Sequence, residues 1–152
     1  MNGKNTLAGF DKVREQYGKE IPLQTRKQMA EVLREPALYA FFKGVYYSYG
    51  YNDIEKIHRE AKIYAAKDEA DLKKLQEAIP FFIRNNLIES NPDNPKRFQI
   101  SDYGKSVYYT IFDLNEFVIQ PALRELLRDI SNSDEENAIR KGFNKTVEYI
   151  LL

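Results

Sequence analysis

Few side chains in this 152-residue sequence are equipped for covalent or metal chemistry. There is no cysteine, so thiol nucleophiles, disulfides and thiolate zinc sites are excluded by composition. His58 is the only histidine. It follows Ile57 in an amphipathic run with no serine or cysteine motif beside it, so a structural role is expected rather than that of a general base. One histidine and scattered carboxylates do not make a metal set, and no metal is expected. Residues 68–71 spell DEAD. In a helicase those acids end a buried strand beside a phosphate-binding loop; here they open a helix, and no G-x-x-x-x-G-K-[ST] is present. The chain therefore reads as non-enzymatic, with no catalytic residues and no cofactor.

Binding chemistry is better represented. Lys96 and Arg97 lie in a segment rich in Asn and Pro, where Pro92 and Pro95 favour a turn held away from the body. Burying cations there would be costly, and an exposed one reaches a phosphate or a minor groove. A competing role is to keep a hairpin edge solvated and unaggregated. Lys73 and Lys74 are the cations on the first turn of the helix just before that segment, and Asp68, Glu69 and Asp71 stand beside them. Those acids suit a helix N-terminus but oppose a polyanion. Eleven Tyr and nine Phe supply aromatic surface. Phe41, Phe42, Val45 and Tyr49 recur at core spacing, which leaves Tyr46 and Tyr47 as rim residues.

These residues need elements to position them. Leu7, Phe10, Val13 and Tyr17 form an amphipathic stripe that stops at Gly18 and Pro22. Thr25 is a candidate cap for a second helix carrying Met29, Val32 and Leu33, closed by Pro36, which also suits the first turn of the next. The third helix is the most apolar and is expected to end at Gly50. Asn52 or Asp53 caps a fourth with Ile54, Ile57, Ala61 and Tyr64 inward, and Asp68 caps a fifth with Leu72, Leu75, Ile79, Phe82 and Ile83 inward. Pro80 is expected to kink or split it. In "NLIESNPDNPKRFQISDYGKSVYY", residues 86–109, two short runs flank an Asn/Pro/Asp cluster and predict an antiparallel hairpin. Asp102 then caps a long helix that kinks or restarts at Pro121, and Ser133 with Glu136 fits a capping box for the last one, which bears Ile139, Phe143, Val147, Ile150 and Leu151.

Three helices, a hairpin, and a helix opening on Asp and Gly follow the order of a winged helix-turn-helix. The 86–109 segment resembles the wing of MarR-type and PadR-type regulators, in which an "LIE" strand leads through a polar tip to a second strand and an "LTxxG" helix start, written here "ISDYG". Asp93, Ile100 and Gly104 keep the MarR spacing; Pro95 stands where that family has a wing Arg, followed at once by Lys96 and Arg97. The resemblance implies a single winged-helix domain over 1–152: N-terminal helices to 34, a mainly helical core with a small β-wing over 35–104, and C-terminal helices over 105–152. It further implies a homodimer built from the N- and C-terminal helices, binding to double-stranded DNA through Lys73, Lys74, Lys96 and Arg97, and regulation of transcription. A small aromatic effector would occupy a pocket between dimer helices and wing, with Tyr108, Tyr109 and Phe112 on one wall. The same elements are also similar to the N-terminal winged-helix domain of Muk-type condensin kleisins, which implies a protein-interaction and dimerisation module that does not read DNA.

Charge bears on the choice between them. Lys plus Arg and Asp plus Glu are 23 each, so no whole-molecule field draws the chain to phosphate or to an anionic membrane. No window approaches the roughly 20 apolar residues that cross a bilayer, and a soluble, cytoplasmic protein is expected. At the two ends, Leu7, Phe10, Val13 and Tyr17 can pair with Ile139, Phe143, Val147, Ile150 and Leu151 either across a two-fold axis or within one chain.

Overall fold

The computed structural model describes residues 9–65 and 69–152, which are mainly helical with one two-stranded antiparallel hairpin. They divide into two compact units, one from the described part of Met1–Arg34 with Ile111–Leu152, the other Glu35–Thr110.

In the first unit, helix α1 spans Asp11–Glu20 and α2 spans Leu23–Arg34. Helix α2 starts directly after Pro22, whose carbonyl accepts from Arg26 N–H, so Thr25 lies inside the helix and is not its cap. Leu7 lies outside the described residues.

The second unit opens on α3, Pro36–Tyr47, with Pro36 in the first turn, where a missing N–H costs nothing. Ala40, Phe41, Phe42, Gly44 and Val45 are buried. The helix ends at Tyr47, before Gly50, and Gly50 turns the chain with φ of +75°. Helical spacing no longer applies past Tyr47, so Tyr49 is 91% exposed and not part of the core. Helix α4, Ile54–Tyr64, is capped by Asp53, which accepts from Lys56 N–H at 2.9 Å. It packs so closely on α3 that a Cβ on Gly44 would lie 2.6 Å from the Ile57 carbonyl oxygen. Helix α5, Leu72–Arg84, is capped by Asp71 rather than Asp68, which lies outside the described residues. Pro80 sits on its exposed side and the helix continues through it as one element. Phe82 fills the centre of the unit, its ring 4.8 Å from Phe41 and 5.1 Å from Phe42, and full burial of such a ring contributes about 2–3 kcal/mol.

Asn86, at φ 58°, turns the chain into strand β1, Ile88–Asn91, which pairs with β2, Asn94–Ile100. Helix α6, Asp102–Leu114, follows. Its cap is Ser101, one residue before the expected Asp102. Ser101 Oγ accepts from Gly104 N–H at 2.8 Å and donates to the Asn86 carbonyl at 2.6 Å.

Back in the first unit, a π-helical turn, Asn115–Ile119, leads into α7, Gln120–Leu127, with Pro121 in its first turn. Pro121 can give no N–H and its ring crowds the carbonyl four residues back. The preceding turn widens instead of breaking, with Gln120 N–H reaching the Asn115 carbonyl. The last helix, α8, spans Ser133–Leu151. Asn132 is its cap, accepting from Asp134 and Glu135 N–H; Glu136 pairs with Arg140, so the expected capping box does not form. Helices α1 and α2 both pack on α8. Phe10 meets Phe143 edge to face, Arg14 Nε donates to the Tyr149 carbonyl, Tyr149 bonds Asp11, and Arg34 pairs with Glu148 at 3.0 Å. Ile150 and Leu151 are fully buried within the chain, while Leu152 is 48% exposed.

Candidate nucleic-acid interface

The hairpin is anchored at its base and open at its end. Leu87 N–H bonds the Phe82 carbonyl, Ser101 N–H bonds the Leu87 carbonyl, and Leu87, Ile88, Phe98 and Ile100 are buried. Asn52 adds a third rung: its N–H and C=O exchange hydrogen bonds with Phe98 at 2.9 and 2.8 Å, tying the segment between α3 and α4 to the outer edge of β2. From Pro92 to Arg97 every residue is exposed.

Lys96 and Arg97 do not stand on the tip, which is Pro92 and Asp93, but on a bulge. Ser90 faces Phe98 while the adjacent Asn91 faces Asn94, so Pro95, Lys96 and Arg97 have no partners on β1. Proline explains the bulge, because it cannot donate to a ladder. The bulge pushes two cations outward from the strand edge, and among the described residues neither forms an ion pair.

Lys73 and Lys74 are exposed on the first turn of α5, together with Gln76 and Glu77. Asp71, the cap, accepts from Lys74 N–H at 3.3 Å, so one helix N-terminal donor is already taken by a carboxylate. Of the remaining DEAD residues, Glu69 is half-buried and Ala70 buried in a turn, not at the end of a strand. His58 is half-buried on α4. Among the described residues no three His, Asp or Glu side chains come together as a metal set, and no helix is long and apolar enough to cross a membrane.

Compared with protein-family models, with curated proteins and with solved structures, the chain gives no match.

A second feature of the same unit is an aromatic-lined cavity, which takes Tyr109 from the expected pocket wall but not Tyr108 or Phe112. A cavity of about 240 Å³ opens between the end of α3, the end of β2 and α6, and Tyr46, Tyr49, Gln99, Lys105 and Tyr109 contribute to its lining. Tyr46 stacks on Tyr108 at 4.0 Å and its hydroxyl bonds that of Tyr109 at 3.0 Å. The Tyr109 hydrogen bond, with burial behind it, pushes the Tyr46 phenol up to about 12. Burial raises Tyr108 as well. Ser48, also at the cavity, has a buried hydroxyl with no hydrogen-bond partner. Tyr108, expected on a pocket wall, is instead core, stacked beneath Tyr46. The signal of the cavity in the sequence is the Tyr49-Gly50 step, where an aromatic leaves the helix and a glycine reverses the chain.

Proposed function

We propose that the chain is a DNA-binding regulator of winged helix-turn-helix layout that acts as a homodimer. The observation that carries this reading is the hairpin: three-rung at its base, exposed from Pro92 to Arg97, with Lys96 and Arg97 thrown outward on a bulge. Lys73 and Lys74 on α5 would lie in a major groove while the wing cations steady the neighbouring backbone or minor groove. Phosphate contacts dominate affinity, and about four cations per subunit would bind weakly alone, so pairing belongs to the proposal. The tyrosine-lined cavity is the place where a small aromatic effector fits this reading.

The test is fluorescence anisotropy with labelled duplex across a salt series. Wild-type binding should fall steeply with salt, and Lys96→Ala with Arg97→Ala should weaken it by about tenfold or more. Undiminished affinity in that double variant, or no duplex binding at low salt, overturns the reading.

One observation favours a second reading, a protein-interaction module of a chromosome-organising or similar assembly. Asp71 occupies the N-terminus of α5, where a phosphate would otherwise be welcome. Such a module would ignore duplex even at low salt.

A further inference from the structure

The stretch from Phe112 to Arg128 presents an outward face that nothing in its own unit covers. Phe112 is 38% exposed and Phe117, on the π turn, 72%, their rings in edge contact at 6.5 Å. Ile119 and Leu123 point inward, which leaves Phe117 near the middle of the solvent side. Asp113 and Glu116 precede Phe117, and Arg124 follows it, all exposed, with Glu125, Arg128 and Asp129 beyond. Arg128 pairs with Glu125, but Arg124 only donates Nε to its own helix at the Gln120 carbonyl. Among the described residues no ion pair joins Asp113, Glu116 or Arg124.

An exposed aromatic pair with acids on one side and a base on the other is self-complementary under two-fold symmetry. Asp113 and Arg124 are eleven residues apart, about 16 Å along a helix, so one copy cannot pair them with each other. Two copies laid antiparallel bring each acid against the other copy's arginine with the phenyl rings near the axis; laid parallel they would set acid against acid. We propose that this face, centred on Phe117, docks a second copy of this chain antiparallel about a two-fold axis, Asp113 of each against Arg124 of the other. The proposal shares with the regulator reading only the premise that the protein pairs. One helix face of this length covers less than the about 800 Å² per partner of a standard interface, so micromolar association is expected.

Sedimentation velocity on the full chain without DNA tests it. Wild type should move from monomer to dimer as concentration rises to about 100 µM. Phe117→Glu should stay monomeric with an unchanged thermal melt, because the ring it removes is exposed. Arg124→Asp should weaken association by about tenfold or more, and Asp113→Arg combined with Arg124→Asp should return it to within about threefold of wild type. A monomeric wild type, a dimeric Phe117→Glu, or a double exchange that rescues nothing overturns the proposal. A wild-type monomer that still binds duplex overturns this face and the homodimer premise but not duplex binding, whereas a dimer that ignores duplex overturns only the DNA reading.

Discussion

Gly104 shows how a residue can be legible in a sequence for the wrong reason. Its spacing from Asp93 and Ile100 carried the family resemblance, but its necessity is local: a Cβ there would lie 2.9 Å from the Leu87 carbonyl carbon and closer still to its oxygen. That oxygen is fixed, because it accepts from Ser101 N–H at the hairpin base. Gly104→Ala should therefore cost about 3 kcal/mol in urea denaturation, whereas Gly142→Ala, on α8 with nothing within 4 Å, should gain about 0.5–1 kcal/mol. Tyr46 offers a pH-dependent counterpart. Its folded pKa, about 12, stands above the ordinary 10.0, so its contribution is fully present below pH 10 and is lost as pH rises through about 12. Denaturation midpoints should fall across that window, and Tyr46→Phe should flatten the fall; an identical fall in the variant would remove Tyr46 as its source. Spacing placed Tyr46 on the rim, where it is half-buried, but it could not show the Tyr109 partner, and it put Tyr49, almost wholly in solvent, in the core.

At the scale of elements, what was legible was what depends on neighbours in sequence. Helical periodicity and the Asn/Pro cluster located the helices and the hairpin, because apolar stripes and turn residues act over a few positions. The caps were harder. Ser133, Asp102 and Thr25 are all competent by type, but the caps are Asn132 and Ser101, and Thr25 lies inside a helix whose first bond goes to the Pro22 carbonyl, decided by which acceptor the incoming chain brings over the free N–H groups. Asn132→Ala should then lower stability by about 1 kcal/mol, while Ser133→Ala should change it by less than about 0.5 kcal/mol. Equal effects in thermal denaturation would return the cap to Ser133. The wing bulge was also out of reach, since it depends on the β2 register, where Pro95 removes a ladder donor and carries Lys96 and Arg97 off the strand edge. Long-range cover was the least visible. The apolar C-terminal stripe fits pairing across a two-fold axis or within the chain, and only the structure shows that α1 and α2, more than a hundred residues away, pack on it.

For the whole molecule the governing fact is a formal net charge of zero. A strongly basic protein binds any polyanion through its overall field, but here attraction can arise only locally, at exposed cations. In the proposed reading these are Lys73, Lys74, Lys96 and Arg97, all exposed, with Asp71 and Glu77 beside the two lysines. Each phosphate neutralised releases condensed counterions, so the logarithm of the binding constant should fall against the logarithm of salt concentration with a slope of about −0.9 per contact. Four contacts give about −3.6 for one copy, and a pair engaging both half-sites gives about −7. The slope therefore counts copies as well as contacts. Wild type should show the steeper value, Phe117→Glu the shallower one, and Lys96→Ala with Arg97→Ala a slope reduced by about two per subunit. Should Phe117→Glu keep the wild-type slope, the duplex would be engaged by single copies, and the coupling of pairing to DNA binding would fail even with both activities intact.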